Sequence, residues 1–396
     1  MKKHLLLITA MLFSVASAFA QDCDYSGTIG ELQWCLKNET LTISGNGEMP
    51  DYYFQGEPWH EYRAYINTAV VEPGVTSIGS CAFSDCVNLT LITISGSVTS
   101  IGQGAFASCL SLVSITIPSG VTSIGMQVFD YCINLTSITV ENASNHYTSE
   151  NGVLFDKDKN TLICYPAGKT GAYVIPGSIT SIEDYAFNYC ANLTSIIIPG
   201  SVITIGNYAF ASCTTLSAIT IPSSVTTIGN RSFFYCTNLN SISISGSVTT
   251  IGYYAFAKCT DLTSITNLNP IPVTISSNVF EEVDKSKCTL EVPISSVSAY
   301  QNTDVWKEFN IVNVGIENIE ATTVKIYPNP TAGMLRIESE DLRIENVVIY
   351  DVLGKIQRIE NWKTENTIDI SHFSAGIYFV KISTEAGEVT RKVVKE

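Results

Sequence analysis

Apolar and polar positions follow a pattern that returns every 23 residues through the middle of the chain. One unit reads Cys-x-x-Leu-x-x-Ile-x-Ile, then a Pro or Ser turn, then Val-x-x-Ile-Gly-x-x-Ala-Phe-x-x-Cys. The Ile-x-Ile segment alternates with Ser and Thr at period two, which is typical of a half-buried strand. Each unit is therefore predicted to contribute at least one short strand to a parallel sheet.

Several files of residues repeat with this spacing and form the candidate core. The repeat cysteines are Cys86, Cys109, Cys132, Cys190, Cys213, Cys236 and Cys259. The aromatic file is Phe83, Phe106, Phe129, Phe187, Phe210, Phe233 and Phe256, and an isoleucine file runs from Ile78 to Ile251. A fixed period of this length indicates a solenoid. The strand file, from Val71 to Ile244, gives about eight units, with a ninth fading at Asn267.

One unit is longer than the others. The interval from Cys132 to Cys190 is 58 residues, or 23 plus 35, so this unit carries 12 extra residues around positions 151–166. Two apolar runs flank a charged turn there, which predicts a protruding hairpin. The Asp156-x-Asp158-x-Asn160 segment is similar to the opening of a calcium loop but lacks that motif's later glycine and glutamate, so a solvated turn is expected.

The two ends of the chain differ from the repeats. Lys2 and Lys3, a following apolar run and Ala18-Phe19-Ala20 predict a signal peptide at 1–20. No later apolar run approaches the roughly 20 residues of a spanning helix. The last segment, 322–396, contains short alternating strands separated by Gly, Asn and Pro turns, which predicts a β-sandwich.

Charge argues against nucleic acid as a partner. The net charge is −15, and removal of Lys2 and Lys3 leaves 20 basic against 37 acidic residues, or −17. Phosphate binding needs the opposite sign. The 45% apolar content with 15% charged residues indicates a folded chain rather than a disordered one.

The repeat and the C-terminal segment each resemble a known family. Residues 69 to about 312 resemble the BspA-like leucine-rich repeat, through the Leu-x-x-Ile-x-Ile strand and its Ala-Phe-x-x-Cys continuation. Residues 41–66 are similar to the opening cap of such arrays and residues 288–312 to the closing cap. Tyr327-Pro328-Asn329-Pro330 and Gly376-Ile377-Tyr378 make 322–396 similar to a type A sorting domain of the type IX secretion system. This resemblance implies export through the periplasm and across the outer membrane by the type IX machinery, with release or anchoring at the cell surface.

The predicted fold class is mainly β, a leucine-rich-repeat solenoid of about eight to nine units, one with a hairpin insertion, followed by an Ig-like β-sandwich. The predicted domains are a signal peptide at 1–20, an N-terminal cap at 21–68, the solenoid at 69–287, a C-terminal cap at 288–315, a linker at 316–321 and a sorting domain at 322–396.

Candidate chemistry is sparse. Equivalent residues of stacked coils sit about 4.8 Å apart with parallel Cβ directions, so the repeat cysteines are expected to be buried free thiols rather than disulfides. Cys23 and Cys35 lie outside this register, and both a disulfide and two free thiols remain open for them. None of His60, His146 and His372 lies beside a nucleophile motif or a metal-spaced partner, so we expect no catalytic site, metal or cofactor.

Tyrosines are the candidate binding residues. They occupy two kinds of variable position, before Ala-Phe and before the repeat cysteine, and stacked coils would bring them together as an exposed stripe. The candidate ligand-binding residues are Tyr131, Tyr185, Tyr189, Tyr208, Tyr235, Tyr253 and Tyr254. The alternative is plain packing between neighbouring coils. Tyrosine gives large contact area at low entropic cost, and the family resemblance implies an adhesin that binds host matrix or other proteins. A glycan-binding surface module is the alternative function, followed by a hydrolase within the insertion.

Overall fold

The computed structural model describes residues 22–53, 56–313, 324–339, 344–351, 356–361, 367–384 and 387–396. The predicted signal peptide at 1–20 and linker at 316–321 lie outside these residues. The chain divides into two compact units, one formed by Met1–Leu290 with Asn302–Asn310 and the other by Glu291–Gln301 with Ile311–Glu396. Strands dominate both units, which confirms the mainly β prediction.

The Ile-x-Ile segments form the longer strands of a solenoid. These strands are Thr68–Val71, Leu91–Ile94, Ser114–Ile117, Ser137–Val140, Gly171–Val174, Leu193–Ile197, Ala218–Ile221, Ser241–Ile244 and Ser264–Asn267. Neighbours pair in parallel one repeat apart, as in Ile219 with Ile242. Ile219 and Ile221 are buried while Thr220 between them is exposed, which is the predicted alternation. The ninth strand ends at Asn267, where the repeat was expected to fade.

Each regular coil also carries a second, shorter strand that precedes the repeat glycine, or Glu183 in the coil after the insertion. These strands are Val75–Ile78, Ser100–Ile101, Ser123–Ile124, Ser181–Ile182, Thr204–Ile205, Thr227–Ile228 and Thr250–Ile251. They also pair in parallel, as in Ile205 with Ile228. A Cβ at Gly229 would lie 2.6 Å from the backbone of Gly206 in the preceding coil, so close approach between coils requires the glycine.

The phenylalanine file is a continuous stack along much of the core. Phe210 is fully buried, and its ring centroid lies 4.8 Å from that of Phe187 and 5.1 Å from that of Phe233. A tryptophan closes each end of the stack. Trp59 packs on Phe83 with centroids 6.0 Å apart, and Trp306 meets Phe280 edge-on at 5.6 Å. These bulky rings cover the outermost coils, as the caps of a solenoid must.

The repeat cysteines are fully buried and free, as predicted. Five of these thiols donate to a carbonyl of the preceding coil, namely Cys109, Cys132, Cys213, Cys236 and Cys259. Cys213 Sγ lies 3.2 Å from the Phe187 carbonyl oxygen, and Cys236 Sγ lies 3.1 Å from that of Phe210. A cysteine therefore fills a small apolar site and also links adjacent coils.

The chain before the first coil forms a three-stranded meander that joins the solenoid. Its strands are Tyr25–Ile29, Leu32–Lys37 and Thr40–Gly45, followed by the short strand Gly47–Glu48 and the 3-10 helix His60–Tyr65. The first three pair in antiparallel order, and Thr40–Gly45 then pairs in parallel with the first long strand of the coils. A disulfide joins Cys23 to Cys35 and resolves the open question about this pair.

The long unit does contain the expected hairpin, but the prediction that it protrudes is wrong. Its strands are Tyr147–Glu150, Val153–Asp156 and Thr161–Cys164, paired in antiparallel order. Leu154, Phe155 and Leu162 are buried, and Leu162 pairs with Ile182, so the third strand enters the short-strand sheet. The apolar side chains need this burial, which a protruding hairpin would not give them. Asp156 Oδ1 accepts the Thr161 N–H at 2.8 Å and closes the turn, as expected for a solvated turn.

The segment after the last coil contains the strands Thr289–Val292 and Asn310–Asn313, the 3-10 helices Ile294–Ser296 and Trp306–Glu308, and one α-helix, Val297–Gln301. Within the first unit, the Thr289 N–H donates to the Thr263 carbonyl at 2.8 Å and the Trp306 indole N–H donates to the Val273 carbonyl at 2.8 Å. These bonds attach the end of the repeat region to its last coil.

The C-terminal unit contains two antiparallel sheets. One is formed by Val324–Tyr327, Met334–Ser339 and Thr367–Asp369, and the other by Ile356–Asn361, Ile344–Asp351, Gly376–Thr384 and Gly387–Lys395. Residues of both sheets, including Leu335, Ile337, Ile349 and Val380, share one core, as in the predicted sandwich. Asn329 donates to the Lys392 carbonyl and accepts the Val394 N–H, so the Tyr-Pro-Asn-Pro motif is fastened to the last strand.

Candidate binding surface

Two positions in each regular coil adopt a left-handed backbone conformation. In the coil that ends at Cys213 they are Tyr208, with φ of 54°, and Ser212, with φ of 59°. The first position holds Cys81, Gly104, Gln127, Tyr185, Tyr208, Arg231 and Tyr254, and the second holds Asp85, Ser108, Tyr131, Tyr189, Ser212, Tyr235 and Lys258. Such a conformation costs a residue with a Cβ about 1–2 kcal/mol and is favoured by Gly, Asn and Asp. Backbone preference therefore does not explain why tyrosine occurs there.

Four side chains at the first position form a continuous row. The rings of Tyr185 and Tyr208 are stacked, with centroids 4.8 Å apart and planes 12° apart. The Arg231 guanidinium lies 5.4 Å from the Tyr208 ring centroid and 4.8 Å from the Tyr254 centroid, and its Nη1 donates to the Tyr208 hydroxyl. We call Tyr185, Tyr208, Arg231 and Tyr254 the Tyr–Arg row. Arg231 shares the register of the tyrosines, so the signal for it was present in the sequence analysis but was missed.

A groove runs beside the Tyr–Arg row. Asparagines line part of it and bond from coil to coil, since Asn207 Oδ1 accepts the Asn230 N–H and Asn230 Oδ1 accepts the Tyr253 N–H, both at 2.8 Å. Tyr253 borders the groove with 62% of its surface exposed. Asn278 Oδ1 is buried there and has no hydrogen-bond partner among the described residues. The groove thus offers aromatic faces, a guanidinium and a free acceptor to a ligand.

The other predicted tyrosines lie apart from this row. Tyr131 and Tyr189 meet edge to face, with centroids 4.7 Å apart, although 58 residues separate them in sequence. Tyr235 is 46% exposed and contacts the neighbouring Phe234. The seven tyrosines therefore fall into three groups. Tyr185, Tyr208 and Tyr254 belong to the row, with Tyr253 beside it, Tyr131 and Tyr189 form a separate pair, and Tyr235 lies apart. They do not form the single stripe that was expected.

The charged groups near the row are mainly acidic. Asp184 accepts the Asn207 N–H at 2.6 Å and holds this side of the groove in place. Burial and, after it, the neighbouring Tyr208 raise the pKa of Tyr185, so its hydroxyl stays neutral and can donate. Among the described residues, no group of three or more His, Cys, Asp and Glu side chains is arranged to hold a metal ion.

Comparison with protein families gives two matches. The model of the BspA type leucine rich repeat region matches residues 60–157 and 165–287 in 6 copies. The model of the secretion system C-terminal sorting domain matches residues 325–396. Such a domain marks a secreted or cell-surface protein that interacts with secretion machinery. In the part of the chain that the structure describes, no helix has the length and apolar character needed to cross a membrane.

Similar solved structures come from several bacteria. The pneumococcal vaccine antigen PcpA is 18% identical, with a TM-score of 0.54 over 74% of this chain and 99% of that one. A leucine-rich repeat protein from Eubacterium ventriosum is 27% identical, with a TM-score of 0.44 over 65% of this chain and 94% of that one. A leucine rich cell surface protein from Faecalibacterium prausnitzii is 24% identical, with a TM-score of 0.38 over 74% and 96%. No curated protein matches the chain. The likeness to PcpA shows a shared fold.

Proposed function

Because the chain belongs to the BspA-type leucine-rich repeat family and ends in a secretion-system sorting domain, we propose that it is a cell-surface or secreted adhesin that binds a protein ligand through the Tyr–Arg row. The observation that carries this proposal is the composition and conformation of the row. Tyrosine and arginine are enriched at binding hot spots, and here they occupy left-handed positions that disfavour them locally. A role in contact with a ligand accounts for that choice.

The rest of the chain fits a binding role rather than a catalytic one. The solenoid repeats one supersecondary unit and so presents an extended surface at low structural complexity. We assign to the signal peptide passage across the inner membrane, and to the sorting domain passage from the periplasm across the outer membrane by the type IX machinery. The ligand is then a protein of the host matrix or of another bacterial surface.

Surface plasmon resonance against a panel of host matrix proteins, run beside a glycan array, tests this proposal. The variant Tyr185→Ser/Tyr208→Ser/Tyr254→Ser should weaken binding to the protein ligand at least about tenfold, because three hot-spot side chains are lost. The matched control is Tyr53→Ser/Tyr65→Ser, since both tyrosines are exposed and lie in the N-terminal cap. The control should bind like the parent protein.

Three outcomes would count against the proposal. Unchanged affinity of the triple variant would move the contact to the exposed strand face that carries Ser114 and Thr116. Equal losses in both variants would show a general effect on folding. Binding to glycans alone would replace the protein ligand by a carbohydrate.

A further inference from the structure

The long unit opens a cleft in the solenoid. The short-strand sheet that contains Ser123–Ile124 ends there, and a separate sheet contains Thr161–Cys164 and Ser181–Ile182. The Ile124 N–H, which has no next strand to meet, donates to the Tyr147 hydroxyl at 3.0 Å. A cavity of about 260 Å³ lies at this break, near the lower end of the size range of ligand pockets. Residues before, within and after the insertion line it.

Glu183 shows how the break changes one repeat position. Regular coils have glycine there, because a Cβ at Gly125 would lie 2.5 Å from the Gln103 nitrogen, and one at Gly206 would lie 2.6 Å from the Asp184 nitrogen. Glu183 is in the first coil after the insertion, where the hairpin strand Thr161–Cys164 takes the place of a regular preceding coil. It lines the cavity, remains exposed to solvent, and has no ion-pair partner among the described residues. Partial burial, and then the Asp184 charge, raise the pKa of Glu183, so this carboxylate lacks a compensating cation.

The lining combines apolar walls with negative charge. Phe129, Leu154 and Tyr165 are buried and contribute the walls. Tyr165 is only 3% exposed, and its hydroxyl has no hydrogen-bond partner in the described part of the chain. Glu183 joins Asp130 and Asp184 as the carboxylates, and no Lys, Arg or His is present among the described lining residues. A tyrosine hydroxyl that can accept a hydrogen bond and an uncompensated carboxylate both favour a ligand with a cationic donor group.

We infer that this cleft binds a lysine or arginine side chain of the protein ligand, with the aliphatic stem against the apolar walls and the cation beside Glu183. Long basic side chains can bury their stems in this way while the charged head stays near water. The inference rests on the proposed function, since Asp184 and Tyr185 line both this cleft and the groove beside the Tyr–Arg row. A protein that lies along the row can therefore place one side chain in the cleft.

Saturation-transfer NMR with the full-length protein tests the inference directly. The probes are Nα-acetyl-lysine amide and Nα-acetyl-arginine amide, and the control probe is the same lysine amide acetylated also at Nζ, which removes the charge. The parent protein should transfer saturation to the basic probes and not to the neutral one. Glu183→Gln should weaken lysine-amide binding about five- to tenfold, as expected when one charged partner of a partly buried pair is removed. Glu281→Gln, an exposed carboxylate on a later coil, makes the same charge change and should have no effect.

The results separate this inference from the proposed function. Three results would overturn the basic-side-chain cleft. They are no saturation transfer to either basic probe, equal transfer to the neutral probe, and equal losses of lysine-amide binding in Glu183→Gln and Glu281→Gln. If the tyrosine triple variant still weakens binding of the matrix protein in that case, the contact surface stands without the cleft. If the basic probes bind at Glu183 but the triple variant binds normally, the cleft stands and the Tyr–Arg row does not.

Discussion

Phe210→Ala should be strongly destabilising because Phe210 lies within the aromatic stack of the solenoid. Its side chain is fully buried, and removal of a buried phenylalanine typically costs about 3–5 kcal/mol. Two stacked contacts are lost as well, to Phe187 at 4.8 Å and to Phe233 at 5.1 Å, and each aromatic pair contributes about 0.5–1.5 kcal/mol beyond its buried area. Coils on both sides hold the cavity open, so we expect a loss near the upper end, about 4–5 kcal/mol.

Guanidinium unfolding followed by circular dichroism measures this loss. Phe234→Ala is the matched control, because Phe234 is adjacent in sequence to the stack residue Phe233 but only partly buried. It should cost about 1 kcal/mol, the usual size for a substitution outside the core. If Phe210→Ala lost no more stability than Phe234→Ala, the argument that the stack stabilises the solenoid would be refuted.

Two further predictions concern the thiols and the sorting domain. Cys81, which is partly buried, should react with an alkylating reagent before Cys109 and the other buried thiols, because it is more accessible and burial raises the pKa of the Cys109 thiol well above its usual value. Mass spectrometry of the labelled native protein would contradict this if the buried thiols reacted first. A chain that ends at Ala321 should fold but accumulate in the periplasm, and its appearance at the cell surface in cell fractionation as efficiently as the full-length protein would refute the sorting assignment.

The repeat made most of the solenoid predictable from sequence. Each core position occurs many times in nearly the same environment, so its burial can be inferred from its periodicity rather than from one weak preference. Ile219 and Phe210, for example, are buried as their files predicted. The second, shorter strand of each coil was not specified, because two residues such as Thr227–Ile228 are too short to show a period.

The insertion and the binding surface were less predictable because they depend on relations between coils. Phe155 belongs to an apolar run that fits either a protruding hairpin or a buried one. The two are distinguished only by the packing of Phe155 in the core, which the sequence of this segment does not show. Tyr131 precedes the repeat cysteine and Tyr208 precedes Ala-Phe, and these two positions of the coil place the two rings in different groups. Arg231 was not predicted because tyrosines were selected by residue type, whereas Arg231 shares only their position in the repeat.

In a solenoid of equivalent coils, departures from the repeat carry the information about binding. A shared core position such as Phe233 meets the same packing demand in every coil, so its identity says little about a ligand. Glu183 and Arg231 instead replace the residues that their registers usually hold, and each is allowed by a specific local circumstance. Glu183 follows the hairpin strand Thr161–Cys164 instead of a regular coil, and the flanking rings of Tyr208 and Tyr254 receive the Arg231 guanidinium. Glu183 lines the cleft and Arg231 lines the groove, and the two sites share Asp184 and Tyr185, so a single ligand that occupies both should lose affinity on a charge-neutral substitution at either position.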